Sequence, residues 1–226
     1  MKFVRLLLTI LLVPVVIASG WSFFNLLLTL GRSVSESAMP FWAGIIVYFI
    51  FQGIFFKPIR TYVFGHELTH AIAGIMSGAW LKSFKVSSSG GSVVLTKTNI
   101  WIALAPYFIP IYTLLLVIAY WMASRFWQMS GFYPYFLFLT GFTLSFHLCL
   151  TYFAMSQEQS DLKQFGTVFS SEIILIVNCV MLALLFRILF PGAVDFQDFI
   201  ADILKKTILI ISFSGKQIRQ LWMLLR

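Results

Sequence analysis

Residues 61–80 read TYVFGHELTHAIAGIMSGAW. Within this apolar stretch three ionisable side chains, His66, Glu67 and His70, fall inside five consecutive positions. Residues four apart lie on the same face of a helix, so the two imidazoles can address one ion. Ala71, Ile72, Ala73, Ile75 and Met76 carry the helical pattern on, with no proline, to Gly78. Glu67 follows the first histidine and can reach a water held by that ion. Zinc lowers the pKa of such a water to about 7, and a carboxylate can then take its proton. Ionisable groups are costly in an apolar helix and are functional suspects there by default. A polar helix–helix contact or a pH-sensing cluster is the alternative reading of the same residues.

Working outward, the rest of the chain sets that helix in a membrane. Of 226 residues, 60% are hydrophobic, 18% aromatic and 11% charged, against about 25% charged in a soluble domain. Mean hydropathy is +0.92. These values exclude a soluble enzyme, a disordered chain and a collagen-like fibre. The net charge of +8 is read as cations at headgroups and on the cytoplasmic side, not as a nucleic-acid signal. Cys149 and Cys179 sit in apolar runs and read as packing residues.

Apolar runs cover 6–30, 41–56, 100–123, 132–155 and 169–190. Lys2 and Arg5 ahead of the first imitate a signal peptide. The run nevertheless continues through WSFFNLLLTL beyond any cleavage candidate, so it reads as a transmembrane helix. Residues 81–99 change character. SFKVS and SVVLT are β-favouring, and Ser88-Ser89-Gly90-Gly91 supplies a turn, which together predict a hairpin. Lys82, Lys85 and Lys97 put it on the cytoplasmic side. With Lys2 and Arg5 also inside, residues 41–80 become one crossing plus a half-membrane segment bent at Pro58; the alternative is an N-terminus on the outside. After Pro191 the tail opens with Asp195, Asp198 and Asp202 and ends with Lys205, Lys206, Lys216, Arg219 and Arg226. Phe196, Phe199, Ile200, Ile203 and Leu204 recur at helical spacing. They suit a helix lying on the membrane or packed on the protein itself. The expected fold is an all-α polytopic membrane protein of about five to six membrane segments, with a small β-hairpin and a C-terminal amphipathic helix.

A tetrahedral catalytic site needs a third protein ligand. His147, in LSFHLCLTYF, matches the depth of His70 within its own helix. Asp161, in SQEQSDLKQFG, lies past the end of that run and would need its segment to fold back. Glu158 and Glu172 are weaker choices. His147 could instead be hydrogen-bonded within the bundle, and Asp161 could cap the last span.

GHELTHAIAG on a membrane helix, a glycine-containing hairpin and ALAPY at 103–107 together resemble the site-2 protease group of intramembrane metalloproteases. The likeness covers roughly residues 60 to 170. It implies zinc at His66 and His70, Glu67 as catalytic base, and a third ligand from a later core segment. In that group the ligand is an aspartate before glycine, in an Asn/Pro-rich stretch. Asp161 is followed by Leu162 instead, so Asp161 is carried by analogy and His147 by depth. The resemblance implies membrane-anchored protein substrates cut at or within the bilayer, and a multi-pass protein of the bacterial inner (cytoplasmic) membrane. Residues 1–190 would be the integral metalloprotease-like domain and 191–226 an amphipathic tail. Ser92, Val93, Val94, Leu95 and Thr96 would pair with an unwound substrate as an added strand. Pro106 and Pro110 could kink the neighbouring helix to gate entry, or be ordinary irregularities. The competing readings are a non-catalytic membrane protein that binds metal or a partner through a degenerate site, a zinc hydrolase acting on lipidated substrates, and a transporter.

Overall fold

The computed structural model describes residues 2–33, 36–54, 58–87, 90–157 and 159–224. The features expected at Phe55, Phe56, Lys57, Ser88, Ser89, Glu158 and Arg226 lie outside the described residues. The helices are α1 (Lys2–Ser33), α2 (Met39–Ile54), α3 (Ile59–Met76), α4 (Ile100–Phe108), α5 (Ile111–Ala123), α6 (Tyr133–Met155), α7 (Ser160–Phe165), α8 (Thr167–Leu189) and α9 (Phe196–Leu224). Strands β1 (Leu81–Ser87) and β2 (Gly90–Leu95) form one antiparallel pair, as the alternation in SFKVS and SVVLT requires.

Among the described residues, three stretches are long and apolar enough to cross a membrane: Phe3–Arg32, Ser130–Met155 and Thr167–Leu189. This is the architecture of a membrane protein. The run 100–123, expected as one helix, is broken. Pro110 has no N–H to donate and forces Ile109 out of helical conformation (φ −97°, ψ 105°). The halves α4 and α5 are bent by 74° and count as one broken span or a re-entrant pair. Helix α2 has 16 residues, about 24 Å of rise, short of a ~30 Å hydrocarbon core.

The chain divides into two compact units, Met1–Ser35 with Gly166–Arg226, and Glu36–Phe165. In the first, α1, α8 and α9 bury Ala18, Cys179, Ala183, Phe199 and Ile203 together. Phe23 stacks on Phe186 with centroids 6.2 Å apart. Asp195 caps α9, accepting from the Gln197 and Asp198 amides. The early turns of α9 are packed on this unit, whereas Ile208, Phe213 and Trp222 are exposed.

The second unit holds α3, whose His66-Glu67-Leu68-Thr69-His70 forms an HExxH motif. Its largest helix pair, α2 against α6, meets through glycines. A Cβ on Gly44 would collide with the Phe138 carbonyl, and one on Gly141 with the Phe41 carbonyl. The backbones therefore touch directly. Beyond the crossing, the buried ring of Tyr48 packs edge-on against Phe142 and Phe146. Across α5 and α6, Thr113 donates to Thr143 at 3.1 Å.

Three stripes at helical spacing divide the surface of α3. Tyr62, His66 and His70 face α4 and α7, shown by Tyr107 edge-on to His66 and by Asp161 beside both histidines. Val63, Glu67 and Gly74 face β2. A Cβ on Gly91 would sit 2.5 Å from Glu67 Cγ and 2.7 Å from Val63 Cγ1, and one on Gly74 would sit 2.6 Å from the Leu95 side chain. Gly65 faces Tyr112 of α5. A hairpin alone is marginal, and this one is seated on α3 by a glycine from each partner.

Replacing Gly141 by alanine should destabilise the protein by about 1–3 kcal/mol or more, the usual cost of overpacking a close contact. Gly20, with nothing within 4 Å of its Cβ position, should accept alanine without loss. Denaturation of both variants in detergent measures the difference.

Candidate metal centre

The structure brings His66, His70 and Asp161 together. Their Nε2, Nε2 and Oδ2 atoms form a triangle with sides of 3.2 Å between the imidazoles and 3.4 Å from each to the carboxylate. The two histidines come from α3 by their one-turn spacing. Asp161 arrives from α7, a short helix packed on α4 and anchored by the buried Leu162. Among the described residues, this is the one His/Cys/Asp/Glu group whose donor atoms could hold a metal ion.

Each donor has an outer partner. His70 Nδ1 lies 2.8 Å from the Ile102 carbonyl. A carbonyl only accepts, so Nδ1 carries the proton and Nε2 of the neutral ring presents its lone pair to the centre. His66 Nδ1 is 3.3 Å from the Tyr62 hydroxyl. Asp161 Oδ2 accepts from the Tyr107 hydroxyl at 3.1 Å. Such outer contacts fix ring orientation and tautomer in metal sites. Burial alone would raise the Asp161 carboxyl, but with no metal bound a proton held between it and the His66 and His70 rings outweighs burial and keeps the group below the usual carboxylate range.

The donor set fits a tetrahedral ion. A tetrahedron with metal–ligand bonds of ~2.05 Å has edges of about 3.3 Å, close to all three sides of the triangle. An octahedral site with bonds of ~2.05 Å needs edges of about 2.9 Å. Two imidazole nitrogens and one carboxylate suit zinc and other imidazole-binding transition ions better than magnesium or calcium. Three electron-rich atoms this close repel one another unless a proton or a cation lies among them.

Glu67 is buried and stands outside this donor group. It lines the same cleft as the three donors, a cavity of about 820 Å³. One wall is β2 and the three residues that follow it, since every residue from Gly90 to Thr98 contributes. Because the sheet has two strands, the other edge of β2 has no strand partner among the described residues. The residues expected to meet substrate, Ser92 to Thr96, all line this wall.

His147 does not join the triangle. It is buried in α6 behind His66, beside a small cavity shared with Tyr62, Thr69 and Tyr112, and its Nε2 has no hydrogen-bond partner among the described residues. Glu172 belongs to α8 in the first unit. Sequence reasoning did not single out Tyr62, Tyr107, Gly91 or the Ile102 carbonyl. Tyr62 was within reach, one turn before His66, and Tyr107 closes the ALAPY stretch. A carbonyl leaves no trace in residue identity.

No protein-family model matches the chain, and neither a curated protein nor a solved structure does.

Alanine at His66, His70 or Asp161 should abolish near-stoichiometric metal in the purified protein, whereas alanine at His147 should leave it in place. Metal analysis of the four variants after dialysis distinguishes the two candidate third ligands.

Proposed function

We propose that this protein is an intramembrane zinc metalloprotease, similar to the site-2 protease group, which cuts peptide bonds of membrane-anchored proteins at or within the bilayer. The observation that carries the reading is the meeting of His66, His70 and Asp161 at tetrahedral separations beside Glu67, on a cleft walled by β2, whose second edge has no strand partner among the described residues. Of the five or six membrane segments in this reading, α1, α6, α8 and the broken α4–α5 pair are the long ones, and α2 and α3 enter part-way.

A zinc ion held by the three side chains would supply Lewis acidity, polarising the scissile carbonyl and acidifying water towards neutral pH. Glu67 acts as general base, taking a proton from the attacking water and passing it to the leaving amine. Its side chain lies under Gly91 and against the strand, which restricts its movement. Tyr62 and the Ile102 carbonyl hold the imidazole rings in the orientation the centre needs. A substrate helix has its amides bonded internally and must unwind before they can be cut. Between Ser92 and Thr96, the main-chain groups that are not bonded to β1, Trp80 or Glu67 then serve the extended segment as an added strand, leading it past Glu67.

In vesicles carrying a membrane-anchored reporter, Glu67→Gln should lower cleavage by ~10²–10⁴-fold while metal content stays at the wild-type level. Undiminished cleavage by this variant would refute the mechanism. Metal without any cleavage in the wild type would favour a non-catalytic metal protein. Gly91→Ala tests the strand contact separately. The added methyl falls on Glu67 and Val63, so cleavage should drop with metal content unchanged.

A further inference from the structure

We infer that Tyr107 is a positioning residue of the metal centre, latching Asp161 into the donor triangle through its hydroxyl. The inference rests on the metal-centre reading above and adds to it the element that makes the third ligand available.

Asp161 is the donor with least covalent support. The two histidines share an 18-residue helix, whose spacing sets their separation. Asp161 sits on a six-residue helix, between the end of α6 and Gly166, where the backbone turns with φ +95°. A helix that short has little stability of its own, so the carboxylate stays where tertiary contacts put it. Leu162 anchors the helix by burial but does not orient its neighbour's side chain. The carboxylate is oriented by Tyr107.

Tyr107 is suited to this task. It is fully buried in α4, and its ring stands edge-on to His66, 5.2 Å away and at 88°. The same side chain thus touches one ligand through its ring edge and another through its oxygen. The hydroxyl meets Oδ2, the oxygen that also faces both imidazoles. Among the described residues, Oδ1 has only the neighbouring Ser160 hydroxyl, at 3.5 Å. One oxygen is therefore turned inward and the other outward, which presents Asp161 as a single-oxygen donor. α4 supplies the Ile102 carbonyl to His70 as well, so one short helix orients two of the three ligands.

The test compares Zn²⁺ affinity of the full-length protein in detergent, by competition with a chromophoric chelator, alongside melting of the metal-free form. Tyr107→Phe keeps the ring and removes one oxygen. It should weaken zinc binding by about 10–100-fold, the usual effect of deleting an outer partner, with metal-free melting unchanged. Tyr120→Phe is the control. It removes a hydroxyl bonded to the Met129 carbonyl and should leave affinity as in wild type. Wild-type affinity in Tyr107→Phe would overturn the inference while leaving the metal centre standing. Weakened binding accompanied by a lower metal-free melting temperature would assign Tyr107 a structural role and overturn it too. If the wild type binds no zinc, the metal-centre reading falls, and this inference falls with it.

Discussion

Two imidazoles one helical turn apart must meet a carboxylate from a separate element at a spacing of little more than 3 Å. The second unit is organised around that requirement. Helix α3 cannot supply the third donor, because positions three and four residues on are already used or turned to other neighbours. The chain must leave α3, build the hairpin, pass through α4, α5 and α6, and return on α7. Each intervening element packs on α3 or supports something that does. The breaks at Pro110 and after Met155 allow short pieces of backbone to approach the imidazoles where long straight helices would pass by.

The same requirement explains the small residues. Gly74 receives Leu95, Gly65 receives the ring of Tyr112, and Gly91 lies over Glu67. In each case the missing side chain lets a neighbour pack directly against the backbone. Ionisable groups in an apolar surrounding are stable only when partnered. Here each imidazole turns one nitrogen toward the centre and the other to Tyr62 or the Ile102 carbonyl, and the inward oxygen of Asp161 also accepts from Tyr107. Polar satisfaction and geometric precision are supplied by the same hydrogen bonds.

Much of this could be read from the residues. The HExxH spacing on an apolar helix located the site, and the switch to SFKVS and SVVLT located the hairpin. Long apolar runs identified α1, α6 and α8 with boundaries close to those observed. What escaped has a common cause, in that it depends on direction and not on pattern. Axial depth favoured His147, because depth measures position along one helix and says nothing of which way its side chain points or whether the next segment doubles back. The run 100–123 is uniformly apolar, so only the local effect of Pro110 separates one span from two bent halves. The outer partners are contacts between elements far apart in sequence, and one is a backbone carbonyl that any residue could present.

If β2 receives a substrate strand, as proposed, its second edge, which has no strand partner among the described residues, has a consequence for selectivity. Amides and carbonyls are identical along every polypeptide, so a segment held by them is gripped without regard to its side chains. The side-chain preferences of such a groove would be shallow. Discrimination would come from how readily a candidate segment gives up its own helical bonds. Within a bilayer, that favours targets with glycine, proline or polar residues near the point of entry, whatever the rest of their sequence.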